Sequence, residues 1–265
     1  MGSVRIPSAY CGVQGHKATT GNVPVGGVLA LSHTLDHVGP HARTIEALSL
    51  AYNALSGDQS DLQSATLKGL KVGLWDGGGN VDLTAEVAKG FDQVKRGLMS
   101  AGAVVEPVEP PEWEYGKSRR YGLLISEREG YQIHAQMLKD NPNGFSSVFA
   151  KLMQWGADQP DSRVDEAYAY VKSVKSAAFK AFERHDVIIA PTAPQTSFDF
   201  AENAPANQAD FTAWANFAAL PATAVYTGLS DTGLPLSCQV IGRCGEDHKT
   251  LGVAAALEEW FGRPP

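Results

Sequence analysis

Ser3, Arg5, Lys17 and the trio His33, His37 and His41 are the residues near the amino terminus whose types and spacing could do chemistry. The histidines recur at four-residue intervals with Asp36 among them, the spacing that lines up metal ligands on a helix. Gly39-Pro40 interrupts any helix between the second and third, so all three are expected as surface or turn residues. Gly77-Gly78-Gly79 follows a strand-like run and precedes a helical one, as a phosphate-binding loop would. Asp82 stands where the dinucleotide fingerprint needs its third glycine, and no Gly-Lys-Ser/Thr follows, so a structural turn is expected. Cys11, Cys238 and Cys244 are odd in number and lack CxxC spacing, which predicts free buried thiols in a reducing compartment. No G-x-S-x-G elbow is present. On residue type alone the Ser3 hydroxyl has no role.

The elements that must position these groups are legible in outline. Ile45, Leu48, Leu50, Ala51 and Leu55 recur at helical spacing up to Gly57. A strand–helix–strand unit follows: Leu70 to Trp75, then Thr84 to Ala101 with Val87, Phe91, Val94 and Leu98 on one face, then Ala103 to Val108. Helices are predicted over Lys117 to Lys139 and Val164 to Arg184, with a break at Asn141 to Gly144. Asp186 to Ala190 reads as a buried strand. Its neighbours are Ala222 to Thr227 and Leu234 to Ile241, joined by the turn Ser230-Asp231-Thr232-Gly233. A last helix runs from about Glu246 to Phe261. The expected architecture is one α/β domain over residues 1–265, a mixed central sheet flanked by helices.

Composition narrows the function classes. Hydrophobic residues make up 43% and charged residues 19%, enough to bury a core. A formal charge of −7 argues against nucleic acid and against an anionic membrane surface as partners. No apolar run is long enough for a membrane helix, and the first residues lack the apolar region of a secretory signal, which points to the cytoplasm.

Five blocks then occur in a recognisable order. They are Gly2-Ser3-Val4-Arg5-Ile6-Pro7 running on to Cys11-Gly12, Gly15 to Pro24, Leu35 to Thr44, Asp186 to Pro194, and Gly233 to Gly242. Together they resemble the amidase-signature family over essentially the whole chain.

The resemblance implies a hydrolase that cleaves a carboxamide carbon–nitrogen bond of a small-molecule amide through a seryl acyl-enzyme. Ser3 aligns with the nucleophile, and Gly2 and Ser3 supply the oxyanion-binding N–H groups. Arg5 is a supporting residue. No cofactor and no metal are implied. Lys17 matches a family lysine read as structural. The family's activating lysine and its cis-peptide serine would lie upstream of Met1, as would an acid partner for Arg5. The chain thus reads as the C-terminal portion of such an enzyme, nearly inactive alone, and expected to form a homodimer or to need a complementing N-terminal segment. Two other readings stand beside it: a non-catalytic binding or assembly subunit, and a glutaminase-type subunit of an amidotransferase. Specificity is expected in Trp113 to Leu138 and Phe198 to Phe217, whose aromatic residues are expected mainly as core.

Overall fold

The computed structural model describes residues 1–264. Seven strands form one mixed sheet: β1 (Gln14–Lys17), β2 (His41–Ala42), β3 (Lys71–Leu74), β4 (Val104–Pro107), β5 (Val187–Pro191), β6 (Ala222–Leu229) and β7 (Pro235–Ile241). Their order is β2-β1-β6-β7-β5-β3-β4. The β4, β3 and β5 strands run parallel, whereas β7, β6, β1 and β2 pair antiparallel to their neighbours. The helices are α1 (Arg5–Cys11), α2 (Ile45–Ser56), α3 (Ala85–Ser100), α4 (Tyr115–Asp140), α5 (Ser147–Asp158), α6 (Asp161–Ala177), α7 (Thr212–Phe217) and α8 (Asp247–Phe261).

Alternation along the strands separates two cores. Val187 and Ile189 of β5 join α2, α3 and α8 on one face, while Ile188 and Ala190 join α4, α6 and α7 on the other. A strand covered on both faces must be apolar throughout, which is why β5 reads as an unbroken run. The Thr44 and Thr84 hydroxyls cap α2 and α3 by accepting from the Ala47 and Val87 N–H groups, and Gly57 closes α2 at φ 77°. Gly77, Gly78 and Gly79 all have positive φ, and the Asp76 carboxylate accepts from the Gly78 N–H at 2.9 Å. That backbone is why only glycine serves there.

The predicted helix ending at Arg184 stops sooner. The α-helix ends at Ala177, and Ala178–Phe182 continues as a 3₁₀ turn. Two helices and two strands were not anticipated: α5, α7, β1 and β2. Cys11 and Cys244 are exposed and only Cys238 is buried, which corrects the expectation of buried thiols; all three are free.

The α4–α5 crossing depends on Gly156. A Cβ there would overlap the backbone between Glu127 and Arg128, and main chain in a helix cannot step aside. Gly156→Ala should therefore cost about 1–3 kcal/mol, the usual penalty of overpacking. Urea unfolding monitored by circular dichroism measures it. An unchanged midpoint would show that the two helices are free to separate.

Candidate active site

Ser3 lies in the turn just before α1, with its side chain exposed, as the sequence implied. The Gly2 carbonyl accepts from the Ile6 N–H at 2.8 Å and the Val4 carbonyl from the Ser8 N–H at 3.2 Å, so these carbonyls point along the helix. Gly2 and Ser3 stand just before the Val4 N-cap of α1, and their N–H groups make no hydrogen bond among the described residues. Gly2 is buried, and a Cβ on it would run into the Thr212 hydroxyl and the Ile6 side chain. Only glycine fits this approach of α1 to α7.

Arg5 is fully buried and ties three elements together. It donates to the Gln239 side-chain oxygen on β7, to the Thr212 carbonyl at 2.8 Å and to Asn216 Oδ1 at 2.7 Å on α7. Its Nε–H has no partner among the described residues. Every acceptor is neutral, and burial alone pulls the guanidinium down to about 9. Lys17, on β1, is buried nearby. Its Nζ donates to the Ala18 carbonyl at 2.7 Å and makes no bond to Ser3. Burial, then the Arg5 charge, depresses it well below an ordinary lysine.

A cavity of about 230 Å³ opens beside Ser3, bounded by Arg5, Lys17, Asp36, His37, Ser126 and Asn216 together with an apolar loop. His37 is the residue that sequence reasoning misplaced. His33 and His41 are exposed, but His37 is half-buried in this cavity. Its Nδ1–H donates to the Leu35 carbonyl at 2.9 Å, and its Nε2 meets the Thr20 hydroxyl at 2.8 Å. Burial, with the charges of Lys17 and Arg5 beside it, pushes the imidazole down to about 3, so it is neutral. Its four-residue spacing with the other histidines is incidental. The useful signal is its place beside Leu35-Asp36 in a loop that folds back over Ser3.

The loop is fastened by α4 and α6. Glu129 accepts from the Ser32 hydroxyl, the Thr34 N–H at 3.1 Å, the Thr34 hydroxyl at 2.6 Å and the Tyr168 hydroxyl at 2.7 Å. Asp36 in turn accepts from the Leu31 and Ser32 N–H groups. A second cavity, of about 510 Å³, also reaches Ser3 and is walled by α1, α4 and the segment before α7. The aromatic residues Tyr115, Trp214 and Phe217 are buried in the core, with Trp113 and Tyr121 packed on it, and none lines either cavity.

A mixed sheet flanked by helices, with a serine set before a short helix against its centre, defines the class of α/β protein. The chain belongs to the amidase family, the amidase-signature proteins, whose model matches residues 1–251. It is 31% identical to a glutamyl-tRNA(Gln) amidotransferase subunit of Carboxydothermus hydrogenoformans, over 97% of this chain and 61% of that protein. It is 28% identical to the protein of the same name from Rippkaea orientalis, over 100% of this chain and 64% of that protein. Among solved structures, one titled as an amidase crystal structure superposes with a TM-score of 0.89 at 25% identity, over 98% of this chain and 61% of that chain. The chain thus spans a little over three-fifths of the relatives it matches. No helix among the described residues is long and apolar enough to cross a membrane.

Proposed function

We propose that this chain carries the nucleophile half of an amide hydrolase. Ser3 attacks the carboxamide carbonyl, the Gly2 and Ser3 N–H groups stabilise the oxyanion, and amine or ammonia leaves before water releases the acid. The observation that carries the reading is the exposed Ser3 hydroxyl beside unpaired N–H groups, at the mouth of two cavities. Arg5 acts as a support, holding α1 against β7 and α7.

A serine hydroxyl needs a proton acceptor, and no candidate bonds to Ser3 among the described residues. The base is proposed to come from a complementing segment or partner. The apolar loop beside Ser3 fits such a contact, since Leu29 is 79% exposed there. A base positioned in this way typically gives about 10²–10⁴ in rate. The test is labelling of Ser3 by a fluorophosphonate, with and without the upstream portion of a related amidase supplied in trans. Slow labelling that accelerates by about that factor, and that Ser3→Ala abolishes, is the expected result. No labelling under either condition would leave the chain with a binding or assembly role.

The names of the relatives favour a second reading, the glutaminase-type subunit of an amidotransferase. Under it, glutamine should be hydrolysed in preference to simple amides.

A further inference from the structure

We infer that the larger cavity beside Ser3 is an apolar subsite that receives the uncharged hydrocarbon or aryl portion of the amide substrate. The inference rests on the reading of Ser3 as nucleophile and adds the class of molecule that Ser3 attacks.

Ser3 belongs to the walls of both cavities, so a bond presented to its hydroxyl has one space on each side. The two spaces differ in chemistry. The smaller places the ionisable groups of Arg5, Lys17, Asp36 and His37 beside its apolar loop. The larger is walled by Ile6 and Pro7 of α1, Leu123 of α4, and Pro205 and Ala206 of the segment before α7. Leu123 is 53% exposed, an apolar side chain left facing open space.

Among the described residues, Arg119 is the one charged side chain bounding this larger cavity, and it has a partner. Its Nε lies 2.9 Å from Oδ1 of Asp210, whose side chain is 1% exposed. The charge of that one ionised side chain is thus matched, and apart from Ser3 and Gln208 the other side chains of the wall are apolar. A charged ligand would lose its hydration there without gaining a counter-ion, while an apolar one gains about 25 cal/mol for each Å² buried. The volume, about 510 Å³, lies within the range of small-molecule sites, about 300–1,000 Å³. A zwitterionic amide such as glutamine matches this surface poorly. An aryl or branched aliphatic carboxamide matches it well.

The experiment is titration calorimetry of the full chain with phenylacetamide, acetamide and L-glutamine, repeated on Ala206→Trp and Leu123→Trp. Both positions are exposed, so each indole fills the cavity without entering the core. Phenylacetamide should bind at least about tenfold tighter than the other two, and each variant should weaken it by about tenfold with melting unchanged. Glutamine binding as tightly as phenylacetamide, or phenylacetamide binding that both variants leave intact, would overturn the subsite. Fluorophosphonate labelling of the same samples keeps the two claims apart. Labelling without phenylacetamide binding removes the subsite alone, whereas variant-sensitive binding without labelling, even with the upstream portion of a related amidase supplied, upholds it and removes the nucleophile.

Discussion

Asp247→Ala should destabilise the protein by about 3–5 kcal/mol, the cost of removing one partner from a buried charged network. Asp247 opens α8, and its carboxylate gathers four bonds from the stretch that follows α1. They come from the Thr19 N–H at 2.7 Å, the Thr19 hydroxyl at 2.6 Å, the Asn22 amide at 2.9 Å and His16 Nε2 at 3.2 Å. Deleting the carboxylate orphans the Thr19 and His16 donors where water cannot reach them, and each unmade buried bond costs about 1–3 kcal/mol. Urea unfolding measures the loss. A change under about 1 kcal/mol would mean that the cluster relaxes or admits water.

The same pair gives the fold an acid limit. Burial pushes the Asp247 carboxyl up, but the bonds from His16 and Thr19 outweigh it and leave the group below its ordinary 3.8. Its stabilisation is present above that value and is lost as pH falls through the lower, folded one. His16 is held below its ordinary 6.5 by burial, which the Asp247 carboxylate only partly offsets. The unfolded chain binds a proton below 6.5 that the folded chain refuses, so stability falls as pH drops from there. Wild type should lose up to about 2 kcal/mol between about pH 8 and about pH 5 that a His16→Asn variant does not. Parallel curves for the two proteins would show that His16 titrates freely in the fold.

Glu129→Ala is expected to be nearly as costly, about 3 kcal/mol, because it too orphans four donors. Its consequence is local as well. Glu129 is what ties the stretch from Ser32 to Thr34 to α4 and α6, and the next residues, Leu35 to His37, bound the smaller cavity. Freed of that tie, His37 should regain solvent, and its ring, now held at about 3, should titrate closer to its ordinary 6.5. Proton NMR of the imidazole reads this directly. A ring that stays depressed in the variant would place the fastening elsewhere, at Asp36 or Asn216.

The sequence announces some of this and conceals the rest for physical reasons. The α2 and α3 helices carry an apolar stripe, a threonine cap and, for α2, a closing glycine, so local and global preferences agree. The β6–β7 hairpin was equally plain from its turn. Gln14-Gly15-His16-Lys17 was not, because β1 is a wholly buried strand written in polar residues. Gln14 and His16 are satisfied by partners more than two hundred positions away, such as Thr223 and Asp247 for His16. No periodicity can reveal that. The α5 helix hid differently, since it docks through the small Gly156 and leaves Val148 and Trp155 exposed. Ser3, Gly2 and Arg5 could be named as candidates because the family resemblance includes the one short segment they share. His37, Ser126 and Asn216 reach the same cavity from three others, and only the fold unites them.

Cys11 ends the short helix that Ser3 precedes, and its thiol is exposed. The seven-residue helix that ends at Cys11 is a rod of about 10 Å, rigid on the scale of a dye linker. Cys238 is sealed in the sheet with its thiol pushed up to about 12, so alkylating reagents will pass it by. Once Cys244 is replaced by serine, a single fluorophore on Cys11 would report whatever arrives at the neighbouring hydroxyl, with no need for turnover.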